Sequence, residues 1–381
     1  MKKLFFFILL FGFLKVSAQD TPKTWQEYFD ITGYVKYLNT ANFHNADDLL
    51  TDNLWHNRIN FIAFVSSSFS LNAGWRNRLL YGDMIQNPFY RQALSSDNGI
   101  FDLSTSLVNQ QKLLMISQFD RLNIDYSYQN IEITLGRQRI NWGKNLVWNP
   151  NDIFNTANFL DTDYEEKAGV DALRVRYNIG ELSQIDLVYS AVNKLDEANS
   201  TLAMAFHSAY QSFDYQLLAG YIRENYVLGL GWEGNLKQMG FKGETSYFLN
   251  HNYDNVFTSS FSLDYAFKSG KNWLFSVLYN GGYKEDSMAV LNLLNAQVDV
   301  QNIFPSDWAF YNQFSGDFGP AWFWSFGSLY GMQNNLIVLM PAINYSISDR
   351  WEANLYAQSY FADIPNMKQR NILTFRLRYD F

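Results

Sequence analysis

Residues 371–381, NILTFRLRYDF, close the chain. Leu373, Phe375, Leu377, Tyr379 and Phe381 fall on one face of an extended strand, and Thr374, Arg376, Arg378 and Asp380 fall on the other. Successive side chains of a strand point to opposite sides, whereas a helical period would mix the two sets. The segment therefore reads as a strand with one apolar and one wet face. The same pattern recurs upstream. Trp351, Ala353, Leu355, Ala357 and Phe361 oppose Glu352, Asn354, Tyr356, Gln358 and Tyr360. Phe261, Leu263, Tyr265 and Phe267 oppose Ser262, Asp264, Ala266 and Lys268, and Leu122, Ile124, Tyr126 and Tyr128 oppose Asn123, Asp125 and Ser127.

A soluble β-sandwich also alternates, so composition decides between the two. Phe, Trp and Tyr make up 18% of the chain, far beyond the needs of a soluble core but suited to aromatic girdles at two membrane interfaces. Strands of this kind recur along nearly the whole sequence, and many apolar faces end in an aromatic. The final strand, ending in Phe381, resembles the signal by which outer-membrane barrels are recognised for insertion. The expected fold is all-β: a transmembrane antiparallel up-and-down β-barrel following a cleaved signal peptide.

That peptide is read at the start of the chain. Lys2 and Lys3 precede an apolar run, Leu4 to Leu14, and Val16-Ser17-Ala18 supplies small residues for cleavage, a secretory pattern too short to span a bilayer. The domain division is 1–18 signal peptide and 19–381 barrel. Cleavage removes three lysines and no acid, taking the formal net charge from -8 to -11, which argues against a nucleic-acid partner. Cysteine is absent, so neither disulfides nor a lipid-anchor thiol are available. The compartment implied is the outer membrane of a Gram-negative cell. The implied partners are outer-membrane lipid and lipopolysaccharide, the barrel-assembly machinery acting through Phe381, and small polar solutes.

Sixteen strands are legible, and the stretch 307–331 is either loop or one further hairpin that would make eighteen. With both chain ends periplasmic, the number must be even, and sixteen to eighteen strands enclose an aqueous lumen. Short turns at 66–68, 129–130, 178–181, 268–272 and 348–349 fit the periplasmic side. Long connections near 82–112, 141–168 and from 283 onward fit the extracellular side.

Residues 136–155, GRQRINWGKNLVWNPNDIFN, depart from this regularity. Ile131, Ile133 and Leu135 alternate with Glu132 and Thr134 up to Gly136, where a bulge would turn Arg137 and Arg139 inward. Asn149-Pro150-Asn151-Asp152 reads as a turn, because Pro bars continued pairing and Asn and Asp accept local backbone bonds. Gly136, Arg137, Gln138, Asn141, Trp142, Gly143, Pro150 and Asp152, with GVDALRVRY at 169–177, resemble a strand end and loop of outer-membrane porins of the alginate-export type. The likeness covers about forty residues. In general porins the loop after the corresponding strand folds inward, so the resemblance makes 143–167 a constriction loop built on Asn141, Trp142, Trp148, Asn149, Asp152, Asp161 and Asp163. The alternative is a lid on the outer rim, with Trp142 and Trp148 serving the girdle.

Alternation assigns Lys36, Arg58, Arg76, Arg78, Arg174, Arg176, Arg376 and Arg378 to the lumen. Closure of the barrel gathers Lys36, Arg58, Arg76, Arg78, Arg376 and Arg378 into one basic arc on four consecutive strands. Facing the acids of the loop (Asp152, Asp161, Asp163, Glu165, Glu166), such an arc sets a transverse field; otherwise the charges simply hydrate and pair along the wall. Catalysis finds no support. The four histidines lack metal spacing, and His207 and Ser208, adjacent on a strand, point to opposite faces. No catalytic residue, metal or cofactor is expected. The function expected is a porin-like channel for passive diffusion or export of a polar solute, with a saccharide among the candidates. The rivals are a non-conducting surface barrel that binds a polysaccharide or assembly partner, and a channel for apolar solutes.

Overall fold

The structure, a computed structural model, describes residues 28–44, 48–97, 99–156, 160, 169–283, 299–363 and 369–381. The signal peptide read from the sequence, residues 1–18, lies outside the described residues, as do Asp161, Asp163, Glu165 and Glu166. Nineteen strands form one antiparallel sheet. They are β1 (Phe29–Phe43), β2 (Leu49–Ser66), β3 (Phe69–Gly82), β4 (Ser104–Gln110), β5 (Leu113–Tyr128), β6 (Ile131–Gln138), β7 (Val170–Ile179), β8 (Ser183–Ala191), β9 (Ser200–Tyr210) and β10 (Phe213–Ile222). The second half comprises β11 (Asn225–Leu236), β12 (Met239–Leu249), β13 (Val256–Ala266), β14 (Lys271–Asn280), β15 (Trp308–Gly319), β16 (Trp322–Gly331), β17 (Leu336–Ser346), β18 (Trp351–Phe361) and β19 (Gln369–Asp380).

The sheet closes on itself. β19 pairs with β1 from Tyr34↔Asp380 to Phe43↔Asn371, and Gly33 and Phe381 exchange two backbone hydrogen bonds of 2.9 and 3.0 Å. Glycine is required at 33. A Cβ there would stand 2.3 Å from the Arg58 carbonyl and 2.8 Å from the ring of Phe381. Closure removes every sheet edge, the condition for crossing hydrocarbon with strands. No helix among the described residues is long and apolar enough to cross a membrane.

Eighteen strands form the wall, with β15 and β16 supplying the hairpin that the sequence left open between loop and strand. β4 is additional: it pairs with β5 over residues 113–118, above the level where β6 pairs with β5. The long connection expected at 82–112 thus contains a strand, and also a helix, α1 (Pro88–Ser95). Asn87 caps α1 by accepting from the Phe89 and Tyr90 amides, with Pro88 at its first position, where a missing N–H costs nothing.

The outer surface carries the exposed apolar residues, among them Ile31, Leu135, Leu173, Leu187, Leu217, Leu228, Ile343, Leu355 and Phe375. Aromatic pairs mark both ends of this band: Trp322–Tyr345, Trp351–Tyr379 and Tyr379–Phe381 at the short-turn rim, and Tyr221–Tyr226, Phe257–Tyr279 and Tyr279–Trp308 at the long-loop rim. An apolar band between two girdles is how a barrel meets a bilayer and its interfaces.

Candidate functional site

β6 stops pairing at Gln138, and the chain then leaves the wall. The departure begins at Gly136, whose φ of +115° belongs to glycine and whose Cβ would lie 2.4 Å from the Leu122 carbonyl. The ladder keeps its register through Gly136↔Ala172 and Arg137↔Asp171. The alternation is therefore broken by a backbone turn rather than by the inserted residue expected from sequence. Arg137 and Gln138 are both buried, whereas Arg139 is exposed. Arg137 Nε donates to Asp171 Oδ1 at 2.7 Å, Nη1 to Asp97 Oδ2 at 2.6 Å and Nη2 to the Phe101 carbonyl at 2.8 Å. This buried hub ties the departing strand to the segment leading into β4. Burial pushes the Asp97 carboxyl up, but the Arg137 guanidinium and the Gly99 and Leu103 amides outweigh it and hold it below its ordinary range.

Residues 140–156 then run inside the barrel. Trp142 is 1% exposed and Trp148 3% exposed. Trp142 Nε1 donates to Asp186 Oδ2 at 2.8 Å, and Arg174 holds the same carboxylate at 2.6 Å. Trp148 meets Phe304 edge-on, and its carbonyl accepts from Ser260 Oγ at 2.9 Å. Farther along, Gln358 on β18 donates to the Leu160 carbonyl at 2.9 Å. The segment touches inward faces from β8 to β14 and then β18, so it crosses the barrel. The rim-lid alternative does not hold for these residues, and neither tryptophan belongs to the girdle.

Glu244 on β12 is the main fixture. Its buried carboxylate accepts three backbone N–H groups of the segment, from Lys144, from Asn145 at 2.5 Å and from Asn151 at 3.0 Å. Ser246 Oγ donates to the Pro150 carbonyl at 2.9 Å and to Asn151 Oδ1 at 2.8 Å, while Asn151 Nδ2 donates to Gln216. Gly229 and Gly231 form the floor below Asn151, since a Cβ on Gly229 would come within 2.6 Å of its side chain. The expected turn is present, with the Asp152 amide donating to the Asn149 carbonyl at 3.1 Å. Gly143 makes room for Asn149, whose Oδ1 would lie 2.3 Å from a Cβ there. Asn141 is exposed. Asp152 is fully buried and so does not present its charge to an open passage, contrary to its expected place facing the basic arc.

The arc itself is assembled as alternation implies. One row across four strands runs Arg378↔Lys36↔His56↔Arg78, and a second runs Asp380↔Tyr34↔Arg58↔Arg76↔Gln118. Arg58 pairs with Asp120 at 2.7 Å, Arg76 donates to Gln118 and Arg78 to the Leu94 carbonyl of α1, both at 2.8 Å. Arg376 donates to Asn354 at 2.7 Å and Arg378 pairs with Asp380 at 2.7 Å. Tyr34 lies beneath the Arg378 guanidinium, 4.5 Å from ring centre to Cζ. Arg174 and Arg176 stand apart from the arc on β7, paired with Asp186 at 2.6 Å and Glu132 at 2.5 Å. Six basic residues of the arc thus stand against Asp120, Glu352 and Asp380 among the ion pairs of the wall.

Sequence reasoning missed Glu244, Ser246, Ser260, Ser262 and Gln216, the wall residues that seat the segment. A signal existed: the buried inward positions of β12 to β14 include Ser246, Thr258, Ser260, Ser262 and Ser276. Small polar side chains turned inward on consecutive strands mark a wall with something docked on it. No group of three or more His, Cys, Asp or Glu among the described residues could hold a metal ion.

A closed eighteen-stranded barrel with an apolar outer band and a charged, internally crossed lumen has the architecture of outer-membrane porins. The solved structures agree on the fold. Pseudomonas aeruginosa OccK5 (OpdH) aligns with a TM-score of 0.60 at 6% identity, covering 92% of this chain and 98% of that one. Acinetobacter baumannii OccAB2 aligns at 0.59 and 8%, covering 94% and 99%. A triple mutant of the Rhodopseudomonas blastica porin aligns at 0.50 and 8%, covering 93% and 100%. No protein-family model and no curated protein matches the chain.

Proposed function

We propose that the protein is an outer-membrane channel for passive passage of a small polar solute, with the internal segment 140–156 setting the width of the path and the basic arc setting its charge preference. The observation that carries this reading is the seating of that segment on Glu244 inside a closed barrel of eighteen strands. Barrels of this strand number enclose a lumen wider than side chains alone can fill. The resemblance of 136–152 and 169–177 to porins of the alginate-export type supports the same class. On this reading the partners are outer-membrane lipid and lipopolysaccharide outside, the assembly machinery at Phe381, and small polar solutes within. No catalytic step is assigned to the barrel.

The test is ion selectivity in planar bilayers. The wild-type pore favours anions, and changing Arg76 and Arg78 together to Ser shifts selectivity toward cations, because a fixed positive field is lost. A purified, folded barrel that passes no current, or a double variant with unaltered reversal potential, overturns the proposal.

A further inference from the structure

A second feature of the lumen lies away from both the basic arc and the seated segment. Near the short-turn rim, the inward faces of β11 to β15 enclose a cavity of about 470 Å³, roofed by Leu146 of the internal segment. That volume is in the range of small-molecule sites. Several charges elsewhere on the inner wall are paired: Arg58 with Asp120, Arg174 with Asp186 and Arg376 with Glu352. In the cavity Asp264 has no such pair among the described residues. Asp264, Asn235, Asn272 and Ser315 line the cavity, and none has a side-chain hydrogen bond or ion pair among the described residues. Ser315 is only 7% exposed and borders the cavity, so its hydroxyl is available to a solute there.

The charge of the cavity follows from its pairings. Lys242 is bound to Glu233, and the two cancel. Asp264 remains, seated over Gly240, where a Cβ would lie 2.3 Å from its Oδ1. The bare glycine is what lets the carboxylate lie there. Tyr265 and Trp273 also border the cavity, but they follow Asp264 and Asn272 directly, so their rings are directed to the opposite, outer face. There Trp273 donates to Asn312 at 2.7 Å and Tyr265 packs on Phe267. A neutral sugar would therefore find neither a ring to stack on nor a use for the negative charge.

We propose that this cavity is a binding cup for a small polar solute carrying a primary ammonium group, held by Asp264 with Ser315, Asn235 and Asn272 completing its hydrogen bonds. The proposal deepens the channel reading and rests on it for the route by which the solute arrives. The ammonium brings three donors to an acceptor-only carboxylate. The amides and the hydroxyl serve the solute's remaining polar groups.

The test uses glucosamine and glucose, which differ by an ammonium in place of one hydroxyl, titrated by NMR against the full barrel in detergent. Wild-type protein binds glucosamine about tenfold more tightly than glucose, the ratio expected for one charge-assisted hydrogen bond. Asp264→Asn removes that preference, and Ser315→Ala weakens both ligands alike while keeping it. Equal binding of the two sugars by wild type, or an undiminished preference in Asp264→Asn, overturns the cup. Because binding in detergent needs no current, the two readings fail separately. A conducting pore without glucosamine preference rejects the cup alone, and glucosamine preference in a barrel that passes no current rejects the channel alone.

Discussion

Replacing Glu244 by Ala probes the seating of the internal segment at its strongest point. The carboxylate holds three backbone N–H groups, those of Lys144, Asn145 and Asn151. Hydrogen bonds to a charged group are worth about 1.5–3 kcal/mol each, so the gross loss is about 5–9 kcal/mol. Taking a carboxylate out of water costs several kcal/mol, and that cost disappears with the side chain. The seated state is left weaker by about 2–5 kcal/mol, part of it from three buried amides without acceptors. Shifts of ~5 kcal/mol carry a two-state equilibrium from about 1:99 to 99:1, so a segment held almost always in place becomes one often released. Trp142 on Asp186 and Ser260 on the Trp148 carbonyl still restrain it, which sets partial rather than complete release. Glu244→Gln keeps one carbonyl oxygen and turns the other acceptor into a donor, at a cost of about 1–3 kcal/mol. Single-channel recordings of the two variants should show larger and noisier open currents, more so for Ala than for Gln. The folded barrel is verified by its heat-dependent gel mobility. If Glu244→Ala leaves both mean conductance and open-channel noise at wild-type values in a folded barrel, the reasoning fails.

Two further outcomes follow from closure and from the Arg137 hub. Deleting Phe381 removes two backbone hydrogen bonds and the ring packed on Gly33, so assembly into membranes slows more than in Asp380→Asn, which breaks only a half-exposed pair worth under about 1 kcal/mol. Gly33→Ala drives a Cβ into the Arg58 carbonyl and slows assembly likewise; normal insertion kinetics in both variants would exclude a closure role for this corner. Asp97 ionises more readily folded than unfolded, so its contribution is complete above the ordinary aspartate range and is lost as pH falls through the lowered folded value. Hydrogen exchange at Gly99 and Leu103, corrected for the intrinsic rate, should rise only below that range, whereas Asp97→Asn exchanges fast already at neutral pH; identical profiles would remove the hub.

Most of the wall was legible because lipid imposes its rule one residue at a time. Leu373, Phe375 and Leu377 must be apolar and Thr374, Arg376 and Arg378 need not be. The hairpin of β15 and β16 was obscured for a physical reason. Its inward residues Ala309, Tyr311 and Leu329 pack with Trp148 and Leu160, so the inner face is apolar as well and the period of two disappears. β9 and β10 show the same effect milder, with Ala203, Ala205 and Leu218 turned toward Ile140 and Trp142. β4 had no local signature: STSLVNQ is a strand because β6 vacates its place beside β5. The basic arc could be read from parity alone. The carboxylate that seats the segment could not, because nothing in the neighbours of Glu244 shows that three amides from a hundred residues away converge on it. Asp152 was misplaced on the same ground, since its side of the turn depends on where the wall offers room, at Gly229 and Gly231.

The central claim is that the segment after Gly143 narrows a conducting lumen, and one measurement addresses it directly. Single-channel conductance is compared between wild type and a variant in which Asn145–Asn155 is replaced by a short Gly-Ser linker, both verified as folded barrels. The account predicts a wild-type pore that conducts and a variant with clearly larger conductance and a higher size cut-off for neutral solutes. Equal conductance and an equal cut-off in the two proteins would contradict it.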